Sequence, residues 1–460
     1  MFIPLAQLLS TGRPDNHPLA ISAGEPRTFG QFRDDVAHNL GLLRVKVSDG
    51  SAESNQVLLF AEDSYWFGVG LLAILHAGYE VVLPENGQPG TLARHRQNCL
   101  LLLTDCVLEG GNNDMAISGG STATDVEFEP LKADSCWVNL FTSGSSGAPK
   151  RIVKSLLVLD REAELLEGFW GGPLDNVLVL SMVSHQHLYG LTFKICWSLC
   201  AGRPFLAEFF GYWEPLVARL QELSPQPTCL ISSPAHLTRY PPLSPLTQLQ
   251  QPRRVFSAGA ALSVAGVEAT MNILGKVTTE VYGSTETGVV AWRQQTQGDL
   301  AWKFFDQIKG RVNDEAVLTV LSPLVDETGW LEIGDRVEIL EDGRFLLHGR
   351  ADRVVKVEGK RVSLTAIEQF LMGLELIEDA SALVLTDSRR SLAAVVTLTR
   401  VGDAQRQTHG DFRFSRQLRN LMRGEFDQAE LPRRWRFVKQ IPVNPQGKRT
   451  QSLVEVLFDE

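Results

Sequence analysis

NLFTSGSSGAPKRIVKS, residues 139 to 155, sets an apolar run against five consecutive glycine or serine residues, Ser143 to Gly147, and closes on Pro149, Lys150 and Arg151. A loop of this kind can turn several backbone N–H groups and hydroxyls toward one anion, because no β-carbon bulk blocks the approach. Lys150 adds a point charge, and phosphate is the natural partner. Neither G-x-x-x-x-G-K-[ST] nor G-x-G-x-x-G fits the segment. Taken alone, it reads equally as a surface turn.

The text on either side decides what such a loop is set in. Upstream, VLLFAED reads as a strand, YWFGVGLLAILHAG as a helix and YEVVLPEN as another strand, which is βαβ grammar. Downstream the same grammar continues through DNVLVLSMVSH, the helix-like LTFKICWSLCAG, TCLISSPAHL and RRVFSAGAAL. Each apolar strand ends in small or polar residues, and ligands of open α/β sheets bind at such carboxyl ends. From about Glu315 short alternating segments (AVLTVLSP, GWLEIGDRVEILEDG, RFLLHGRAD) form a small β region. After Asp352 come a strand-turn, a helix (LTAIEQFLMGL), strands (ALVLTD, LAAVVTLTR), a helix near FSRQLRNLMRGEF and a last strand in RRWRFVKQI. The expected fold is α/β, with a large N-terminal domain of α/β layers over 1–351 and a smaller, mobile α+β domain over 352–460. GGNNDMAISGGSTATD, 110 to 125, reads as a loop.

Composition agrees with two domains, since 460 residues exceed the size at which one core keeps growing. With 44% hydrophobic and 21% charged residues the chain is of ordinary globular type. A net charge of −10 argues against a general nucleic-acid binder, which needs a basic excess, and leaves room only for a local basic patch. The six cysteines show neither Cys-x-x-Cys pairing nor histidines at zinc spacing, as expected of a reduced, cytoplasmic chain. No apolar stretch is long enough to span a membrane.

Four further segments give the loop its company: SAGAAL at 257–262, VYGSTETG at 281–288, WLEIGDRVEI and HGRADRVVKVEGKRVS between 330 and 363, and IPVNPQGKRT at 441–450. With TSGSSGAPK, they resemble in order the motifs of the AMP-forming adenylate ligases, the superfamily of acyl-CoA synthetases, nonribosomal-peptide adenylation domains and beetle luciferases. The resemblance covers most of the chain from Phe141 onward. It implies a carboxylic-acid ligase that uses ATP and Mg²⁺ to make an acyl-adenylate and then passes the acyl group to coenzyme A or to the phosphopantetheine of an acyl carrier protein. A catalytically inactive ATP- or acyl-binding module, and an acyl-AMP ligase that serves only a carrier protein, are the alternatives.

The resemblance also assigns residues. Thr142, Ser143, Gly144, Ser145, Ser146, Gly147 and Lys150 form the phosphate loop. Ala258, Gly259 and Ala260 edge the adenine, Tyr282 stacks on it, and Gly283 and Ser284 complete the nucleotide strand. Thr285 contacts the AMP phosphate and Glu286 holds Mg²⁺, a hard cation for which one carboxylate with phosphate oxygens suffices. Asp335 binds the ribose with Arg350 beside it; Ile333 stands where the family usually has Thr. Lys448 is the catalytic lysine that stabilises charge growing on the α-phosphate, in a motif with Asn444 where Thr is common. Asp352 is the hinge, followed by Lys356 and Gly359.

For the acid, His187, Tyr189 and Gly190 match the family's acyl segment, with His187 near the entering carboxylate; a satisfied buried histidine is its plain alternative. No aspartate lies between Ser181 and Ile195 to pair with an α-amine, so an acid without an α-amino group is favoured. Val183, Tyr189, Gly190, Ser233, Pro234, Ala258, Gly283 and Val289 would wall a pocket for an aryl or short to medium acyl chain. Compact members of this size resemble the stand-alone ligases of aryl-polyene pathways.

Overall fold

The computed structural model describes residues 1–48, 54–106, 114–120, 126–143, 149–223, 225–241, 252–296, 298–357, 360–385, 391–423, 425–443 and 449–459. Packing divides the chain into two units, one comprising Met1–Gly144, Pro149–Lys309 and Leu321–Gly329, the other Gly310–Val320 and Trp330–Glu460. The small β region expected inside 1–351 therefore packs mainly with the C-terminal unit. The reason is local: strand Phe345–Arg350 lies against helix Leu364–Met372. A β-carbon on Gly349 would stand 2.6 Å from the Thr365 side chain.

The first unit holds two sheets. The larger has nine strands, and its middle is a parallel set, Leu178–Ser181, Thr228–Ser232, Arg254–Ser257 and Thr278–Ser284. Every residue of the first two is buried. This is why they read as unbroken apolar runs rather than as alternation. The second sheet has six strands and ends in the antiparallel pair Trp137–Ser143 and Pro149–Ser155. Between its strands Gln56–Phe60 and Glu80–Val82 runs helix Ser64–His76, capped by Asp63, whose carboxylate accepts from the amides of Tyr65 and Trp66. That is the βαβ unit read from the sequence.

Two helical expectations are refined and one loop expectation changes. LTFKICWSLCAG is a π-helical stretch, Leu191–Cys196, running into an α-helix, Trp197–Ala201, that Gly202 ends in the left-handed conformation. π-Turns inside helices are frequent at functional sites. Within 110–125, Asp114–Ala116 is a strand, paired in parallel with Leu102–Thr104; residues 110–113 and 121–125 lie outside the described set. The helix near FSRQLRNLMRGEF begins much earlier and spans Arg400–Met422, broken at Gly410 (φ 74°, ψ 159°). Its first half is too polar to show a helical apolar stripe.

In the second unit strands Ile377–Leu385 and Ser391–Leu398 pair antiparallel, and Arg434–Phe437 adds in parallel. Helix Leu364–Met372 buries Ile367 and Leu371 in a core that includes Ala380, Ala394, Val396, Phe414 and Leu418. Among the described residues no helix is long and apolar enough to cross a membrane.

Candidate active site

In the large sheet the register sets Ser181 beside Ile231, Ser232 beside Ser257, and Ser257 beside Glu280. Four strands thus end side by side at their carboxyl edge, the place where open α/β sheets bind ligands. The residues at or just past those ends are Val183, Ser233, Ala258–Ala260 and Tyr282–Glu286. Sequence reading had named all of them from separate motifs.

The turn after Thr278–Ser284 is closed by its own hydroxyls: the Ser284 amide donates to Thr287 Oγ1 (3.0 Å) and the Thr287 amide to Ser284 Oγ (3.2 Å). This holds Thr285 and Glu286, both half-buried, at the tip. Gly283 leaves no room for a side chain, since a β-carbon there would stand 2.1 Å from the Gly288 carbonyl. The Tyr282 ring leans on Trp302 at 5.5 Å.

Two lysines of strand Pro149–Ser155 reach this turn. Alternation along a strand puts Lys150 and Lys154 on one face, yet their surroundings differ. The Lys150 side chain is 64% exposed and its Nζ stands 3.4 Å from Glu286 Oε1. Lys154 is 2% exposed and donates to the main-chain oxygens of Glu286 (3.0 Å) and Leu324 (3.1 Å). Burial raises the pKa of the Glu286 carboxyl, but its own backbone N–H, the Lys150 charge and the Ser284 hydroxyl outweigh that and hold it below the ordinary carboxylate value. It is therefore ionised at neutral pH. Burial lowers the pKa of Lys154, opposed by Glu162, Asp326 and Glu286.

Glu286 is a hard, ionised, one-third-exposed oxygen donor. Among the described residues no group of three His, Cys, Asp or Glu could hold a metal ion by itself. That donor set fits Mg²⁺ that keeps water and phosphate oxygens, and does not fit a metal caged wholly by protein.

The loop Ala258–Leu262 is fixed by a buried carboxylate. Glu280 accepts from the Leu262 amide (2.7 Å), from Arg293 Nε (2.8 Å) and Nη2 (2.9 Å), and from Gln295 Nε2 (2.7 Å). All lone-pair directions of the carboxylate are used, as a buried charge requires. Gly259 takes φ +93°, which a side chain would strain. The Glu280–Arg293 pair was missed in sequence; the signal was a lone carboxylate in TTEVY opposite an arginine in the antiparallel AWRQQ.

The two histidines of SMVSHQHLYGL part ways. His185 is buried; its Nε2 faces the Ala61 carbonyl (2.8 Å) and its Nδ1 the Ser64 hydroxyl (2.9 Å), and burial pushes its pKa down to about 3. It is a neutral tether, with the proton on Nε2. His187 is half-buried and immediately precedes helix Leu188–Gly190. Of the two, His185 is the fully buried one and His187 the half-buried one. Gly190 lets the loop close, since a β-carbon there would stand 2.1 Å from the Ser184 carbonyl. Val183 is half-buried and Val289 buried. Tyr189 packs on Phe193 at 4.8 Å. Ser233 turns its hydroxyl to His236 Nδ1 (2.9 Å).

In the second unit Asp335 and Arg350 are direct partners in the antiparallel register of Leu331–Ile339 with Phe345–Arg350. Sequence spacing alone could not show that adjacency. Asp352 lies in a 3₁₀ turn, Ala351–Arg353. Arg353 Nη2 donates to Glu368 Oε1 (2.6 Å) and to the Ala382 carbonyl (2.9 Å). Arg449, the first described residue after 444–448, donates to the Ala380 carbonyl (2.8 Å) and pairs with Asp379. Of the sequence assignments, Gly144, Ser145, Ser146, Gly147, Gly359, Asn444 and Lys448 lie outside the described residues. Ser143 is placed by its backbone, opposite Pro149.

Residues 10–323 match the model of a family described as AMP-binding enzyme. The chain is 24% identical, over 93% of its own length, to p-hydroxybenzoic acid–AMP ligase FadD22 of Mycobacterium tuberculosis, and spans 65% of that protein. It is 26% identical over 67% of its length to a 4-coumarate–CoA ligase of Rhodobacter capsulatus, covering 73% of it. Its fold superposes on ATP-bound MatB from Rhodopseudomonas palustris with a TM-score of 0.79, at 18% identity and with 100% and 99% of the two chains covered.

Proposed function

Because this chain belongs to the AMP-binding enzyme family, we propose that it joins a carboxylic acid to a thiol through an acyl-adenylate. The acid's oxygen attacks the α-phosphorus of ATP, the bond to the β-phosphate breaks and pyrophosphate leaves. The thiol of coenzyme A or of a carrier protein's phosphopantetheine then attacks the acyl carbon, and AMP leaves. One observation carries this reading: an ionised Glu286 beside Lys150, on a turn at the carboxyl edge of the parallel strands.

In this reading Thr285 donates to the α-phosphate, and Lys150 and the hydroxyls of Thr142 and Ser143 meet the outgoing phosphates. Glu286 would hold Mg²⁺, which supplies positive charge to the phosphate oxygens. Tyr282 and the loop Ala258–Ala260 take the adenine, and Asp335 with Arg350 takes the ribose. Lys448 stabilises charge on the α-phosphate in the first step, and Asp352 serves as a backbone hinge for the second.

The acid we propose is aryl, or a short acyl chain, without an α-amino group. Supporting this are the absence of any acidic residue from Ser181 to Ile195 and the p-hydroxybenzoic acid and 4-coumarate named in two relatives. An aryl-polyene-type transfer to a carrier protein is the narrower form of the proposal, in the cytoplasm. Acid-dependent exchange of labelled pyrophosphate into ATP, run over benzoates, cinnamates and fatty acids of rising length, tests it. Exchange with benzoates or cinnamates is expected; none with any acid would sink the proposal.

A further inference from the structure

The turn that carries Thr285 and Glu286 is gripped from beneath by two buried charges of opposite sign. Lys154 donates to the Glu286 carbonyl at 3.0 Å, and Glu162 Oε1 accepts from the Val289 amide at 2.9 Å. The two grips fall three residues apart, one at the tip of the turn and one on the strand Gly288–Arg293 that leaves it. Glu162 Oε2 also accepts from Thr192 Oγ1 at 3.4 Å, a hydroxyl of the π-helical stretch in the acyl segment. A β-carbon on Gly288 would come within 3.2 Å of both Glu162 oxygens, so the carboxylate closes on the turn only because Gly288 is bare. Lys154 further ties the Leu324 carbonyl, and the neighbouring Ser155 hydroxyl and amide both donate to Asp326.

Two buried charges are poor economy for stability alone, because apolar residues of the same size do as well or better; burial lowers the pKa of Lys154 and raises that of Glu162, each opposed by the charge of the other. Lys154 is 2% and Glu162 1% exposed. What these two provide that apolar side chains cannot is direction: a cation on a carbonyl and an anion on an amide fix the backbone from which Glu286 projects. We propose that Lys154 and Glu162 are positioning residues that set the Glu286 turn for Mg²⁺ and ATP. They link it to the phosphate-loop strand through Lys154 and to the acyl segment through Thr192. This rests on the ligase reading only for what the turn is used for.

Calorimetric binding of ATP, with Mg²⁺ and again with the metal chelated, should be compared in the parental chain, Lys154→Met, Glu162→Gln and the charge-balanced double variant, beside their unfolding temperatures. Residues that orient a metal ligand typically change metal affinity by about 10–100-fold. Lys154→Met is expected to bind Mg·ATP about tenfold more weakly with metal-free ATP little changed, the low end of that range. The double variant should regain the parental unfolding temperature but not the Mg·ATP affinity. If Lys154→Met does not fold, the double variant carries the comparison. Recovery of both properties together, or equal losses with and without metal, would overturn the proposal. An absence of acid-dependent pyrophosphate exchange in the parental chain would count against the ligase reading alone, since this comparison reads binding.

Discussion

The turn carrying Glu286 and the hairpin carrying Asp335 and Arg350 are built by opposite means. In the first, side chains hold backbone: Lys154 and Glu162, both buried, hold the Glu286 carbonyl and the Val289 amide. In the second, backbone holds side chains: Asp335 and Arg350 face each other because antiparallel register sets them opposite. The difference teaches where each is vulnerable. A buried charged grip fails when either partner is removed, because the other is left without compensation. A register-held pair survives loss of a side chain and fails when the strand geometry is disturbed.

The largest effect expected from that contrast is on the buried grip. Lys154→Met removes the buried positive charge that Glu162 and Asp326 act on and should lower unfolding free energy by about 3–5 kcal/mol, the order of cost of leaving a buried charge uncompensated. Denaturant unfolding would show it, and Glu162→Gln added to it should recover much of the loss. A loss below about 1 kcal/mol would place the grip among weak surface pairs.

Lys194 is a second fully buried lysine in the same unit, and its Nζ donates to two carbonyls, Ala207 (3.2 Å) and Glu208 (3.0 Å). Burial, opposed by Asp63 and Glu208, lowers its pKa from 10.5 to about 7. Between those values the unfolded chain keeps a proton that the folded chain has lost, so Lys194 makes stability rise with pH across that window and become level below it. The steepest slope is about 1.4 kcal/mol per pH unit. Lys194→Met should flatten the curve between pH 7 and 9; parallel curves for parent and variant would remove the assignment.

In the hairpin, the sensitive position is expected to be a glycine rather than a charge. Gly349→Val puts a branched side chain at φ +98° and against Thr365, a strain of about 1–3 kcal/mol. Thermal unfolding checks it. Asp335→Ala, the smallest effect, should change stability by no more than about 0.5 kcal/mol while weakening ATP binding. An unfolding shift as large as that of Gly349→Val would mean that Asp335 also supports the strand pairing.

Much of this could be read from residue order alone. The apolar runs at 178–181, 228–232 and 254–257 mark buried parallel strands, and the motifs at 257–262 and 281–288 are continuous in the chain, so their placement at one sheet edge follows from the strands they end. The polar first half of helix Arg400–Met422 was illegible because it shows no apolar stripe, and strand Asp114–Ala116 because three residues carry no period. His185 and His187 stand two apart in one motif, and burial alone separates the neutral tether from its neighbour.

By itself the sequence determined the α/β class and the order of the motifs, because residue type and spacing are local properties and local geometry follows from them. Only the tertiary structure decided which of two lysines on one strand face stays in water and which is buried under a turn 132 positions away. It likewise decided that Glu280 meets Arg293 and Asp335 meets Arg350. Burial and charge pairing depend on which distant backbone covers a residue, and strand pairing and packing settle that after the local pattern is complete.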